Sequence, residues 1–422
     1  MNVWILNHYA DSPDRQATGH YDLGKQLVAK GHKVTIFASG FSHYKLCEDR
    51  LQSGEKFVVE NQGGVNFIWL KTFPYRGNHW RRIVNMVSYA WRALLVGRKL
   101  PEKPDVIIGT CPHTFGATAA YALARLERAR FFYEVRDLWP QTLVDVGALS
   151  ENSPITWSLR KLEKFLFERS ERILTVLPCI DAYVSSLGIS ESKVAVIPNG
   201  ADFTRYDQMR AYDGKISGPF KVMYLGGLAK YHGVQVILHA AKSLEKMHCN
   251  EVEFVIVGDG PERRPLIESA EALGLRNVEF RPSVPKDQVG NVMGEADAFI
   301  MHIRDMPVLR YGISSNKLCD YLSSGRPVVF AVNSPNNPVQ GAGAGLSIRP
   351  EDPAALAQAV LDLMALSPEQ RILMGRNGVE YAKVHYDVRI LAQRLEDVLL
   401  GGGTSIRVTE SPSTLPDRLS CS

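Results

Sequence analysis

The amino-acid sequence predicts an α/β protein built from two doubly wound domains in tandem. Short β-branched runs alternate with helix-forming segments along the chain, an order typical of parallel sheets covered by helices on both faces. The chain has 422 residues, which is more than one hydrophobic core usually serves. Residues 198–220 are rich in Gly, Asp and Pro and lack a sustained period. We therefore expect the domains to divide near that segment, with a ligand cleft at the carboxyl ends of the strands.

Each predicted strand is a short, mostly apolar run bounded by turn residues or a helical pattern. In the first half the runs are VWIL, VTIFA, FVVE, NFIWL, DVIIG, FFYEV, ILTVL and VAVIP. In the second half they are FKVMYLGG, EFVIVGDG, VEFRP, DAFIMHI and RPVVFAV. We predict one domain over residues 1–200 and another over 201–385. A terminal helix at 386–400 would pack back towards the first domain, and 401–422 would form a disordered tail.

The composition excludes several functional classes. With 45% apolar and 22% charged residues, it is that of a soluble globular protein. A formal net charge of +4 does not indicate a nucleic-acid partner. The six cysteines show no CxxC pair or finger spacing, which argues against disulfides and a zinc site. No stretch reaches the roughly 18 apolar residues that span a bilayer. These features favour a cytosolic protein without a metal.

A glycine-rich turn follows the first strand of the second half, within VMYLGGLAKYHGVQVILHAA (222–241). Gly226 and Gly227 would let backbone amides approach a phosphate, and the next helix start would add partial positive charge. Lys230 would add a full charge. The alternative is a tight turn with a solvated lysine, and the residues alone leave both interpretations open.

The segment SSNKLCDYLSSGRPVV (314–329) predicts a helix, a turn and a strand. Lys317 and Asp320 are three residues apart and would share one helix face. A lysine near the helix start can meet a diphosphate, and a carboxylate one turn later can accept hydrogen bonds from ribose hydroxyls. The alternative is a local ion pair, worth roughly a few tenths of a kcal/mol.

Charged residues directly follow an apolar strand in FFYEVRDLWPQT (131–142). Glu134, Arg136 and Asp137 would lie at the carboxyl end of that strand, where charges are costly unless they are paired or used. We favour a functional role for this cluster. The alternative is an arginine clamped by both acids to fix a loop.

His113 follows the strand DVIIG, within CPHTFG, and is the histidine best placed to face a cleft. A buried structural histidine is an equally good interpretation. The other histidines near predicted loops share no spacing, so no metal site is predicted.

Residues 78–99, NHWRRIVNMVSYAWRALLVGRK, predict an amphipathic helix. Its apolar stripe contains Trp80, Ile83, Val84, Val87, Trp91, Leu94 and Leu95. Basic residues lie beside or beyond the stripe: Arg81, Arg82, Arg92, Arg98 and Lys99. A helix of this kind can lie on anionic lipid. Alternatively, it packs on its own domain.

Six segments together resemble one large enzyme family: VIPNGAD, YLGGLAKYHG, VIVGDGPERRPL, VEFRPSV, SSNKLCDYLSSGRPVV and GAGAGLSIRPEDPAAL. Through them, most of residues 1–400 resembles the retaining glycosyltransferases of family 4. That family has the GT-B fold, in which two Rossmann-like domains face each other across a cleft. The segment EVRDLWP is similar to a branch that includes fucosaminyl and other amino-sugar transferases of O-antigen and capsule assembly.

The resemblance implies that the second domain binds a nucleotide diphosphate sugar and that the first receives the acceptor, without a metal ion or other cofactor. It places Gly226, Gly227 and Lys230 near the diphosphate. It also places the backbone around Arg281 and Pro282 near the base.

Further positions follow from the same resemblance. Asn316 and Lys317 would meet the phosphates or the donor sugar, and Asp320 would meet the ribose. Gly19 matches a glycine that approaches the diphosphate from the other domain. The candidate catalytic residues are Lys317, Lys230, Asp137 and His113.

The sequence departs from the family pattern at several of these positions. Gly312 replaces the first acid of a two-glutamate motif, and the shorter Asp320 replaces the second. The usual Arg and Lys after the glycine strand fall on Gly227 and His232. A histidine common in the first domain falls near Thr110, three residues before His113. Lys230 and Lys317 are therefore expected to supply the missing charge.

The implied function is a glycosyltransferase of the hexosyltransferase type with a UDP-linked donor, such as an N-acetylated deoxyamino sugar. The acceptor would be a polyprenyl diphosphate-linked saccharide of lipopolysaccharide O-antigen or capsule biosynthesis. Residues 78–99 would hold the enzyme at the cytoplasmic face of the inner membrane. Two alternatives remain, a nucleotide-sugar 2-epimerase of the same fold and a non-catalytic partner protein.

Overall fold

The computed structural model describes residues 1–13, 19–43, 46–77 and 80–402. The first domain contains, in order, β1 (Asn2–Leu6), α1 (Gly19–Ala29), β2 (Lys33–Ser39), β3 (Phe41–Ser42), β4 (Cys47–Glu48), β5 (Phe57–Gln62), β6 (Val65–Leu70), α2 (Trp80–Lys99), β7 (Val106–Thr110), α3 (Thr114–Glu127), β8 (Arg130–Val135), α4 (Gln141–Asp145), α5 (Pro154–Arg169), β9 (Ile173–Thr175), α6 (Asp181–Ser186) and β10 (Val194–Val196).

The second domain follows the same alternation. It contains β11 (Phe220–Leu225), α7 (Gln235–Lys246), β12 (Val252–Val257), α8 (Arg263–Leu273), β13 (Val278–Arg281), α9 (Val289–Met293), β14 (Ala298–His302), α10 (Asn316–Ser323), β15 (Val328–Ala331), α11 (Pro338–Ala342), β16 (Gly345–Ser347), α12 (Pro353–Ala365) and α13 (Pro368–His385). The last helix, α14 (Val388–Leu399), ends the described chain.

Each domain is centred on one large sheet. The first has the strand order β10-β9-β8-β7-β1-β2-β6-β5, and the second has the order β13-β12-β11-β14-β15-β16. The second sheet is parallel throughout its described pairs. In the first sheet β5 runs antiparallel to β6, because Gly63 and Gly64 adopt positive φ angles and form a tight hairpin turn. The prediction of two doubly wound α/β domains is confirmed.

Helices cover both faces of each sheet. In the first domain α2, α3 and α5 pack on one face, and α1 packs on the other together with α14. Leu391, Leu395 and Leu399 of α14 are buried there. None of the helices within the described residues combines the length and apolar character that a membrane crossing requires.

The chain passes between the domains twice, and the two crossings are bonded to each other. Ala201 N donates to Tyr386 O at 2.7 Å, and Val388 N donates to Ala201 O at 3.2 Å. The first crossing falls inside the predicted linker, and the second leads into α14. Residues 403–422, most of the predicted disordered tail, lie outside the described residues.

Candidate active site

The carboxyl edge of the second sheet brings two predicted elements together. Strand β11 runs into Gly226, and the start of α10 lies against it. A β-carbon at position 226 would overlap Cδ of Lys317, so a glycine is required where the lysine crosses the strand end. The glycine-rich turn and the SSNK segment therefore form one site.

Lys317 is the most unusual cation at this edge. Its Nζ donates to Tyr224 Oη at 2.9 Å and lies 4.9 Å from the centre of the tyrosine ring. Among the described residues no carboxylate lies within ion-pair distance of Nζ. Burial lowers the pKa of Lys317 to about 7. An anion that reached this ammonium would supply the missing countercharge.

The first turn of α10 adds to the positive potential. The N-cap, Ser315, makes no side-chain capping bond, and Asn316 is exposed. The first N–H groups of a helix have no partner inside the helix, and they favour a phosphate or carboxylate. The Lys317 ammonium and these amides could therefore bind the same anion.

Asp320 lies one turn further along α10 than Lys317. Its carboxylate is buried and accepts hydrogen bonds from Tyr206 Oη at 2.5 Å and Lys286 Nζ at 2.7 Å. The alternative of a local ion pair with Lys317 is therefore wrong, because Asp320 pairs with Lys286 instead. Both oxygens have a partner, yet a carboxylate has further lone pairs that a ribose hydroxyl could use. The ribose role stays a prediction.

The other residues predicted to contact the nucleotide sugar differ in whether their side chains already have partners. Lys230 is exposed on a single 3-10 turn, beside the exposed Gly227. The Arg281 guanidinium is held by Glu279 and Glu295, and its carbonyl accepts from Gly258 N at 3.1 Å. The predicted contact with the nucleotide base would therefore use the backbone near Arg281 and the exposed ring of the next residue, Pro282, and not the Arg281 side chain.

His232 occupies the position where the resembling family has a lysine. The ring is buried, and burial together with the nearby Lys317 lowers its pKa to about 2. Its Nδ1 accepts from Ala229 N at 3.3 Å, and its carbonyl accepts from His302 Nδ1 at 2.7 Å. A neutral, internally bonded ring cannot replace a cation, so Lys317 and the exposed Lys230 are the candidate cations for this role.

The structure explains why Gly312 replaces an acid. The residue has a φ of 91°, and a β-carbon would lie 2.6 Å from Pro178 Cγ and 2.9 Å from Asn336 Oδ1. The Asn336 side chain bonds both the N–H and the carbonyl of Ile313, at 2.7 and 2.9 Å. The loop before α10 is therefore packed against the first domain and has no room for a larger residue.

Polar residues at the carboxyl edge of the first sheet form a connected network. Glu134 Oε2 accepts from His20 Nε2 at 2.5 Å and from Thr110 Oγ1 at 2.8 Å, and its Oε1 accepts from Arg136 at 3.2 Å. Burial alone would raise the pKa of Glu134, but His20 and Arg136 lower it to about 2. Asn7 Nδ2 donates to Nδ1 of His20, which leaves Nε2 to carry the proton.

Asn199 connects this network to α10. Its Oδ1 accepts from Arg136, while its backbone N–H and Nδ2 donate to the Oγ and carbonyl of Ser314 at 2.8 and 2.7 Å. Its carbonyl accepts from Cys319 Sγ at 3.2 Å. This linker residue thus connects the first domain to the segment that leads into α10.

Gly19 begins α1 beside this connection. A β-carbon there would lie 3.9 Å from both Arg136 and Asn199. The predicted glycine approach from the first domain therefore falls next to a guanidinium and close to the start of α10, while residues 14–18 of the preceding loop lie outside the described chain.

His113 lies apart from these groups, in the interior of the first domain. Its Nδ1 accepts from Gly116 N as the N-cap of α3, and its Nε2 lies 2.6 Å from Nδ1 of His8. His8 in turn bonds the Asn85 side chain. Burial, with Arg82 nearby, lowers the pKa of His113 to about 3. Both ring nitrogens serve this packing, so the structural interpretation fits the geometry.

Asp137 also lies away from Lys317. Its Oδ1 accepts from Thr142 Oγ1 at 2.5 Å, and burial raises its pKa. The alternative, an arginine held by both acids, is correct for Glu134 and wrong for Asp137. Arg136 bonds Glu134 and Asn199, whereas Asp137 bonds Thr142.

The structure thus gathers Gly226, Asn316 and Lys317 into one site and links Gly19 to it through Asn199. Sequence reasoning missed Asn199 and Tyr224. Asn199 stands in the motif VIPNGAD at the start of the predicted linker, and Tyr224 ends a predicted strand, but neither motif by itself indicates a role for the side chain. Within the described residues, no group of three or more His, Cys, Asp or Glu side chains is arranged to hold a metal ion.

Comparison with known proteins agrees with this architecture. Residues 16–200 match the domain family described as "Glycosyl transferase 4-like domain", and residues 219–365 match "Glycosyl transferases group 1". Both halves are thus glycosyltransferase domains, and the chain is a glycosyltransferase, a transferase enzyme with the GT-B fold.

Individual relatives are distant. The chain is 21% identical to the putative colanic acid biosynthesis glycosyl transferase WcaI of Escherichia coli (strain K12), over 71% of this chain and 75% of WcaI. Sucrose-phosphate synthase from Thermosynechococcus elongatus superposes with a TM-score of 0.75 at 15% identity, covering 95% of this chain and 98% of the synthase. HepE from Anabaena in complex with UDP-glucose superposes with a TM-score of 0.67 at 14% identity, covering 95% of this chain and 100% of HepE.

Proposed function

We propose that this glycosyltransferase moves a sugar from a UDP-linked donor to a lipid-linked saccharide of surface polysaccharide biosynthesis. The transfer retains the anomeric configuration and needs no metal ion or other cofactor, and an N-acetylated deoxyamino sugar is the proposed donor group. The colanic acid role in the name of WcaI and the UDP-glucose complex of HepE support this choice.

The observation that carries the proposal is Lys317 at the start of α10. When the sugar leaves, negative charge gathers on the diphosphate, and preorganised donors stabilise that charge. Lys317 has its charged form disfavoured by burial and lies against Gly226, where amides can approach a phosphate. The diphosphate would therefore restore the charge of Lys317, and the helix start would supply further N–H donors. These groups can do the work that a metal ion does elsewhere.

The first domain would present the acceptor and close over the donor. Gly19 and Arg136 lie where the two domains approach each other, beside the Asn199 connection. Closing the cleft would exclude water and so limit hydrolysis of the donor.

A lipid-linked acceptor agrees with the outward face of α2. Trp80, Ile83 and Trp91 on that face are exposed, although the opposite face packs in the core. Arg81, Arg98 and Lys99 are also exposed. We propose that this face holds the enzyme at the cytoplasmic surface of the inner membrane.

The proposal is tested by calorimetric titration with UDP, GDP, ADP and dTDP, each in EDTA. UDP is expected to bind, and Lys317→Met is expected to weaken it by roughly 30-fold or more, because a charge-assisted hydrogen bond contributes about 2 kcal/mol. Lys230→Met changes an exposed lysine on the 3-10 turn that follows β11, and this matched control should lose less affinity. Binding of no diphosphate, or equal loss in both variants, would overturn the assignment of the donor site to Lys317.

A further inference from the structure

A second apolar surface lies on the first domain, at the start of α5. Ile155 is 62% exposed and Trp157 is 60% exposed. They are two residues apart and flank the buried Thr156, so both project from the first turn of the helix instead of forming one stripe along it. Neither residue belongs to the donor site or to the α2 face.

The topology places this surface at the same edge of the sheet as the start of α2. Strands β1, β7, β8 and β9 are parallel, and α2 and α5 each connect the carboxyl end of one strand to the amino end of the next. Both helices therefore begin at the carboxyl edge of the sheet, which is the edge that carries Glu134 and Arg136. Trp80 is 62% exposed at the start of α2 and thus borders the same edge as Trp157.

The two helices also share one side of the sheet. Helix α3 lies between them, and buried residues of all three helices belong to the same core cluster. Consequently their outward faces look to the same side of the molecule. The exposed residues Phe73, Trp80, Ile83, Ile155 and Trp157 form what we call the apolar rim.

The charges around the rim are mostly positive. The segment that leads into α2 and its first turn contain Lys71, Arg76, Arg81 and Arg82 and no acidic residue. On α5 the Lys161 ammonium lies 3.8 Å from the centre of the Trp157 ring. Of the acids near the start of α5, Glu163 is buried, and the exposed Glu151 is paired with Arg160 at 2.6 Å. An apolar rim with a basic surround is complementary to an anionic bilayer rather than to an acidic or neutral protein surface.

We propose that the start of α5 is a second membrane anchor, so that the rim docks on an anionic lipid leaflet through two helices. Two tryptophans then sit at the level of the lipid headgroups, where their amphipathic rings are favoured. Two contacts fix the orientation, whereas one helix would leave the domain free to rotate. The carboxyl edge of the sheet, and with it the cleft, is held at the leaflet surface. This docking rests on the proposed lipid-linked acceptor and gives the reason that the acceptor can enter without leaving the bilayer.

The test is sedimentation of the full chain with vesicles of equal parts phosphatidylcholine and phosphatidylglycerol. Ile155→Ser with Trp157→Ser is expected to lower the partition coefficient by roughly tenfold or more, and Trp80→Ser with Ile83→Ser should do the same. The four changes together should abolish binding. Leu373→Ser, which removes an apolar side chain 56% exposed on the second domain, is the matched control and should bind as the wild type does. Circular dichroism and melting temperature verify that each variant is folded.

Three outcomes would overturn the second anchor. The α5 variant could sediment like the Leu373 control, or wild-type binding could be equal on pure phosphatidylcholine. Alternatively, ultracentrifugation without lipid could show a dimer that the α5 changes dissociate, which would make the rim a contact between copies of the chain. UDP titration of the same variants separates failure of the membrane proposal from failure of the donor proposal. A variant that loses only lipid binding should bind UDP with unchanged affinity. A wild type that binds vesicles through both helices but binds no nucleotide would refute only the donor.

Discussion

The two sheet edges that face the cleft differ in whether the protein stabilises the charged form of their buried ionisable residue. At the first-domain edge Glu134 accepts three hydrogen bonds, and its pKa falls to about 2. At the second-domain edge Lys317 has a tyrosine hydroxyl as its partner, and its pKa falls to about 7. The protein thus stabilises the charged form of the acid and disfavours that of the lysine. The first edge has its partners within the protein, whereas the proposed diphosphate would supply the partner that the second edge lacks.

The difference explains which residues a functional assay should reveal. Substitutions in the first-domain network change the stability of the fold, because they leave buried partners unsatisfied. Changes at Lys317 should instead alter ligand binding with little loss of stability. Four predictions test this contrast, from the largest expected effect to the smallest.

Glu134→Ala should lower the free energy of unfolding by about 3–5 kcal/mol, because it leaves the buried His20 and Arg136 without their carboxylate. Urea unfolding measures the change. The folded pKa lies below the unfolded one, so this stabilisation is present above pH 4.5 and is lost as the pH falls towards 2. Glu171→Ala breaks the exposed pair with Arg130 and is the control, expected to cost under about 1 kcal/mol. Equal effects would contradict the contrast.

Asn199→Ala should weaken UDP binding by roughly tenfold, since it removes the connection between Arg136 and the start of α10. Ser314→Ala removes the hydroxyl that accepts from Asn199 N. Asn199→Ala keeps this backbone bond, so if the two residues act through one connection the losses of the single variants should sum to more than the loss in the double variant. Calorimetry decides this, and fully additive losses would show that the residues act independently. Ser243→Ala, on the surface of α7, is the matched control.

UDP binding at pH 8 should take up roughly one proton, because free Lys317 is mostly neutral there and the diphosphate recharges it. The apparent affinity should fall by up to about tenfold for each pH unit above 7. Titrations in two buffers with different ionisation enthalpies measure the proton uptake. Lys317→Met should abolish it, and an undiminished uptake in that variant would assign the proton to another group.

Glu163 tests whether the contrast concerns whole domains or only their cleft edges. This acid lies inside the first domain, and burial raises its pKa to about 8 despite a hydrogen bond from Tyr183 at 2.5 Å. It is therefore protonated at neutral pH in the folded protein. Glu163→Gln should change the free energy of unfolding by under about 1 kcal/mol below pH 4.5, where the unfolded carboxyl is protonated as well.

The pH dependence of that variant is the sharper measurement. A raised carboxyl pKa gives stability that is present below pH 4.5 and is lost as the pH rises through 8. The wild type should lose stability over this range, whereas Glu163→Gln should not lose this component. A variant with an unchanged slope would show that Glu163 is ionised in the native state.

The sequence predicted which residues form the site better than it predicted which residues they contact. The alternation of strands and helices is local and repeated, so it fixes the parallel sheets and places Gly226 and Lys317 at strand and helix ends. It also marked Glu134 and Arg136, since charges after a buried strand need a partner. It did not show that Asp320 faces Lys286 or that Asp137 turns to Thr142, because a helix or loop can rotate without changing its sequence period.

The sequence by itself therefore determined the two-domain fold, the glycine-rich turn after β11, and the basic and apolar character of α2. Tertiary structure alone decided that none of the described carboxylates pairs with Lys317, that His113 is enclosed, and that Asn199 joins the domains. The physical reason is distance along the chain. Periodicity and turn preference act over a few residues, whereas Asn199 and Ser314 are separated by 115 positions and meet only after both domains have packed.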